Sequence, residues 1–139
     1  MESTEENLFD QALARYQEGA QANELLDDFI VITRNSPNHS ASWTCLSWLQ
    51  LLTNKPEEAL RSARNAIKLN AQDPQARVNL CLALLETNSK GVRDQIEIVK
   101  RIIFTVPELQ KDLKESIKDG LERKPDWKEL EKIQKWLEL

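Results

Sequence analysis

The chain has 139 residues, enough for one domain with a core of its own. Hydrophobic residues make up 40% and charged residues 30%, with acids and bases interleaved to a net charge of -4. That balance excludes a disordered tail as the main body, and it lacks the concentrated basic face that nucleic-acid binding requires. Only three glycines and five prolines occur among many Leu, Ala, Glu, Lys and Gln, which favours helix over sheet. No apolar run approaches the ~18 residues of a membrane span, and the acidic start, Met1 to Glu6, is unlike a secretory leader. Cys45 and Cys81 sit singly in apolar segments, as buried free thiols of a reducing compartment would. The expectation is a cytoplasmic protein without direct membrane insertion.

The elements follow in chain order. A first helix is expected from Ser3, with Glu6 completing a Ser-x-x-Glu capping box, through Leu8, Phe9, Ala12, Leu13 and Tyr16 to a stop near Gly19. A second carries Leu25, Leu26, Phe29, Ile30 and Ile32 and ends before Pro37; a third covers about 40–53 with Trp43, Leu46, Leu49 and Leu52. Pro56-Glu57-Glu58 makes a good first turn for a fourth, because proline loses no needed donor there and carboxylates suit the positive end of the dipole. Asp73 as cap and Pro74 behind it open a fifth, with Val78, Leu80, Leu82 and Leu85. After a turn at Asn88 to Gly91, a sixth runs through Ile96, Val99, Ile102 and Ile103 up to Pro107. A seventh is expected over 109–121, ending around Gly120. The last opens at Asp126, and its apolar face combines Trp127, Leu130, Ile133, Trp136 and Leu137.

Helix pairs recur at a period of about 34 residues, once Pro37, Ala71 and Pro107 are set equivalent. Phe9, Tyr16, Phe29 and Pro37, then Trp43, Leu46-Ser47, Ala59 and Ala66, then Leu80-Cys81 and Pro107 fall at matching places. In these residues the chain resembles the tetratricopeptide repeat (TPR) family, with repeats at 6–39, 40–73 and 74–107 and C-terminal capping helices over 108–139. Four positions depart from the pattern: Gln50 for an aromatic, Ala71 for Pro, Arg77 for the leading aromatic and Gln95 for a small residue. The resemblance implies a single all-α domain, a right-handed α-solenoid of about eight helices in antiparallel hairpins.

It also implies a concave groove lined by the first helix of each pair. In repeat one those positions are Asn7, Asp10, Gln11, Ala14 and Gln17; in repeats two and three they include Ala41, Thr44, Cys45, Trp48, Leu51, Gln75, Val78, Asn79, Leu82 and Leu85. The groove residues expected to hold a protein partner are Thr44, Trp48, Leu51, Val78, Asn79, Leu82 and Leu85. An apolar concave surface suits a hydrophobic peptide or an amphipathic helix. The C-terminal helices could equally fold back and fill it. The Lys, Asn and Arg set with which some relatives clamp acidic tails is missing, as Asp10, Ala14, Cys45 and Gln75 show.

Catalytic chemistry is not expected. His39 is the single histidine, in a loop, and has no second histidine to complete a metal site. Asp27-Asp28 and Glu57-Glu58 are adjacent on helices and diverge. No glycine-rich phosphate loop occurs. The function expected is a non-catalytic adaptor or assembly factor, chaperone-like, that binds a client polypeptide without cofactor or metal. The alternative is a self-associating module, a homo-oligomer joined through the Trp-containing last helix.

Overall fold

The computed structural model describes the backbone from Thr4 to Leu139 and side chains from Leu8 onward; the Ser3–Glu6 box and the Asn7 side chain lie outside the described residues. The described residues form eight α-helices: α1 (Thr4–Gln17), α2 (Ala22–Asn35), α3 (Ser40–Leu52), α4 (Pro56–Leu69), α5 (Pro74–Glu86), α6 (Val92–Thr105), α7 (Pro107–Arg123) and α8 (Lys128–Leu137). Local chemistry marks several starts. Asp73 accepts from the amides of Gln75 and Ala76 at 3.0 and 3.3 Å, and Pro56, Pro74 and Pro107 each open a helix where a missing N–H is harmless. Gly91 enters α6 with φ +109°, a left-handed conformation that side chains disfavour.

Consecutive helices pair as antiparallel hairpins, and α3 also packs on α5 and α5 on α7, so that the later hairpins stack first helix on first helix in a TPR-like solenoid. Small buried residues permit the close approach. Ala59, Ala63 and Ala66 of α4 and Ala76 and Ala83 of α5 are fully covered. The buried core forms one long cluster that runs from α3 to α8, with smaller ones around Phe29 and between α4 and α5.

The four departures from the repeat pattern have structural partners. Gln50 is buried and its Oε1 accepts from Ser62 Oγ at 2.7 Å, a polar pair where an aromatic would otherwise fill space. The other three meet one another. Arg77 donates through Nη1 to Gln95 Oε1 at 2.7 Å and through Nε to the Ala71 carbonyl at 3.0 Å.

Three boundaries differ from the sequence expectation. Pro107 does not merely close the sixth helix. Val106 is at once the cap that ends α6 and the residue before α7, so the two helices are joined without a linker. Gly120 does not end α7, which continues to Arg123 with Gly120 buried inside it. The last helix starts at Lys128, leaving Trp127 at its cap in place of Asp126.

Candidate functional site

The concave side is divided by α7 and α8. Helix α8 lies on α5 and α6, and α7 touches α5, α6 and α8. The buried face of α8 with its entry residue, Trp127, Leu130, Ile133 and Leu137, joins Leu113 and Ile117 of α7 in the same cluster as Trp48, Leu51, Val78 and Leu82. Trp127 is 1% exposed, and its ring centroid stands 5.4 Å from that of Trp48 at a 42° tilt. Trp136 does not share this face and is 41% exposed, so the two-tryptophan surface expected of the last helix is split.

The seven expected groove residues therefore separate into groups. Leu51, Val78 and Leu82 are fully buried, and Leu85 packs against the same cluster, all beneath the chain's own C-terminal helices. Asn79 is also fully buried. Its Nδ2 donates to the Thr44 carbonyl at 3.0 Å and to Ser47 Oγ at 2.8 Å, while its Oδ1 accepts from Gln75 Nε2 at 2.8 Å, which ties α5 to α3. Thr44 Oγ1 donates to Asp73 Oδ2 at 2.7 Å. Leu85 is only partly buried, and of the seven Thr44 and Trp48 line the open space on the amino-terminal side of these helices.

That space is a channel of about 490 Å³ at the amino-terminal half of the concave side, between α1, α3, α5 and α7. Leu13, Tyr16, Phe29, Cys45, Trp48 and Leu49 supply an apolar lining, and Thr44, Gln17 and Gln75 add polar groups. Asp112, Glu115 and Asp119 of α7 form an acidic wall with Ser116 among them. They recur at helical spacing on one face. Sequence reasoning placed Gln17, Thr44, Cys45, Trp48 and Gln75 in the groove but missed the α7 wall, because nothing in the repeat pattern says where a capping helix will cross. Gln75 Oε1 is buried at this channel without a donor.

A polar latch closes one end. Arg123 donates to the Tyr16 carbonyl through Nη2 and to the Ala20 carbonyl through Nη1, both at 2.8 Å. Its guanidinium stacks 3.8 Å from the Tyr16 ring centroid and pairs with Asp119 at 3.2 Å. The Tyr16 hydroxyl donates to Asp119 and accepts from Trp48 Nε1, the latter at 2.7 Å. Burial, followed by the Asp119 hydrogen bond, pushes the Tyr16 phenol above its usual range. A cation on the last carbonyls of α1 also suits the negative end of its dipole. Since α1 packs mainly on α2, this latch is its tie to the far end of the chain. Arg123→Met is expected to remove about 1.5–3 kcal/mol of local stability. Hydrogen exchange should then show α1 amides opening roughly ten- to a hundredfold faster while α3–α5 stay protected. Unchanged α1 protection would mean the latch does not hold it.

The remaining reactive groups have plain roles. Burial pushes both thiols up to about 12, Cys45 with help from Asp73, which disfavours the thiolate of each at neutral pH. His39 precedes α3, interacts through Nδ1 with Ser42 Oγ, and its ring meets Phe9 edge-on at 4.8 Å. Glu86 lies under Trp127 and Lys124, and burial raises its carboxyl above the usual value against the pull of Lys124. Among the described residues no three His, Cys, Asp or Glu side chains converge as a metal site, and no helix is long and apolar enough to cross a membrane.

Solved structures share the fold, among them two of SycD, the type III secretion translocator chaperone of Yersinia enterocolitica. One, described as an alternative dimer, matches with a TM-score of 0.68 at 18% identity over 88% of this chain and 92% of that one. The other matches with a TM-score of 0.66 at 18% identity over 86% and 88%. At that identity the likeness is one of fold. No protein-family model and no curated protein matches the chain.

Proposed function

We propose that this chain is a divergent TPR protein that acts as a non-catalytic, chaperone-like adaptor and holds a short segment of another polypeptide in the channel beside α7. The observation that carries the reading is the lining. Leu13, Phe29, Cys45, Trp48 and Leu49 offer apolar contact, and Asp112 and Glu115 offer exposed negative charge along one wall. A channel of about 490 Å³ takes side chains of a segment, whereas a whole helix, about 10–12 Å across, exceeds it. The segment that fits carries apolar side chains beside a Lys or Arg. Trp48 and Thr44 are then contact residues, while Leu51, Val78, Leu82 and Leu85 seat the C-terminal helices. The two SycD structures that share this fold are of a translocator chaperone, which supports a client-binding role of the same general kind.

The test is selection of a displayed random peptide library on the immobilised chain, followed by titration of the enriched peptides. Expected are peptides that combine an apolar pair with a basic residue. Their affinity should fall at least about tenfold, or ~1.4 kcal/mol, with Leu13→Glu, and by a similar amount with Asp112→Lys combined with Glu115→Lys. Circular dichroism checks that the variants remain folded. Failure to enrich any peptide, or peptides indifferent to both changes, rejects the channel as the site.

A further inference from the structure

The face of α6 turned away from the core has no described partner, and it is not neutral in its design. Phe104 is 89% exposed, the most exposed large apolar side chain among the described residues. On the same helical stripe, at steps of four, three and four residues, stand Arg93, Glu97, Lys100 and Phe104. At the other end of that stripe lies a recess of about 430 Å³, lined by Val92, Arg93, Ile96, Glu97, Lys100 and the half-exposed Trp136. None of these residues borders the client channel. Arg93, Glu97 and Lys100 make no ion pair among the described residues.

The stripe is self-complementary under a twofold rotation. A second α6 laid antiparallel, with the axis passing midway between the levels of Ile98 and Val99, sets Glu97 against Lys100 of the other copy and Lys100 against Glu97. The same rotation sets Phe104 of each copy against Arg93 and the recess beside Trp136 of the other. Knob and hole stand eleven residues apart on one helix, about 16 Å at 1.5 Å per residue. A symmetric dimer needs a surface of this kind, where one patch answers itself. In the parallel arrangement Glu97 would face Glu97 and Phe104 would miss the recess.

We propose that two copies of this chain pair through α6, with Phe104 of each seated in the Val92–Ile96–Trp136 recess of the other and stacked on its Arg93. The occupant of the α6 face is thus a second copy, selected by two reciprocal Glu97–Lys100 pairs and two Arg–aromatic contacts. The patch is narrower than the ~800 Å² per partner of standard interfaces, so pairing is weak, with a dissociation constant on the order of micromolar. The expected last-helix contact is replaced: Trp127 is committed inside the protomer, and only Trp136 takes part.

Sedimentation equilibrium of the full chain over a dilution series tests this. The wild type should approach about 32 kDa, twice its 16.1 kDa mass, at high concentration. Phe104→Glu should weaken pairing by at least about thirtyfold. Glu97→Lys alone and Lys100→Glu alone should each weaken it about tenfold, and the double exchange Glu97→Lys with Lys100→Glu should restore it to within about twofold. All three positions are wholly or partly exposed, so the monomer fold is retained and circular dichroism verifies it. A wild type that stays monomeric at about 200 µM overturns the proposal, since micromolar pairing would be saturated there. So does a dimer insensitive to Phe104→Glu, or charge reversals that the double exchange fails to rescue.

Discussion

Trp127→Ala is expected to lower the free energy of unfolding by about 3–5 kcal/mol in urea denaturation, the largest effect of any single truncation in the chain. The indole is 1% exposed and stands against Trp48 at the centre of the largest cluster, where α3, α5, α7 and α8 meet. Lys124 Nζ lies over its ring, 4.8 Å from the centroid, and covers that face. Its Nε1 is buried facing the Glu86 carboxyl, with no hydrogen bond of normal geometry between them, and alanine would remove that donor too. Trp127→Phe isolates the two contributions: it keeps most of the ring and deletes the indole N–H, and should change stability by less than about 1.5 kcal/mol. If alanine costs under about 1 kcal/mol, α8 is not part of the cooperative unit and the channel wall loses its support.

Gly120→Val should destabilise by about 3 kcal/mol, and Gly120→Ala by about 1–2 kcal/mol despite alanine's better helix propensity. A Cβ at this position would stand 2.8 Å from Trp48 Cη2 and Cζ2 and from Leu130 Cδ2. Leu130 can turn its methyl aside. Trp48 cannot, because Tyr16 holds its indole nitrogen and Trp127 backs its ring. The strain therefore falls on the seating of α7, and near-ultraviolet circular dichroism of the tryptophans should weaken together with the melting temperature. Were Gly120→Ala to stabilise the protein by the ~1 kcal/mol that propensity alone gives, α7 would not rest on Trp48. A glycine inside a helix reads locally as a stop. The ring that requires it lies 72 residues away along the chain.

The same contrast runs through the candidate site. Thr44 and Trp48 could be placed on the inner helix of the second pair because repeat register is a local property, fixed by residues at regular spacing. The acidic wall of Asp112, Glu115 and Asp119 carried no such mark. On an isolated α7 those carboxylates look like half of an exposed, alternating charge pattern with Lys111, Lys114 and Lys118. They become a wall because Leu113, Ile117 and Gly120 are buried, which turns the neighbouring side toward the channel.

From sequence alone came the helices, most of their limits and the pairing into hairpins. Each of these follows from short-range chemistry: the 3.6-residue period, prolines and aspartate at helix starts, and the energetic need of every amphipathic helix to cover one face. Tertiary structure alone decided whether the groove stays open. Leu51, Val78 and Leu82 would attract any apolar surface, and the nearest in effective concentration is the chain's own Trp127, Leu130 and Ile133. Hydrophobic attraction is non-directional, so residue type announces that a surface must be covered without saying by what. The shape that remains after α7 and α8 have docked determines which part is left for a partner.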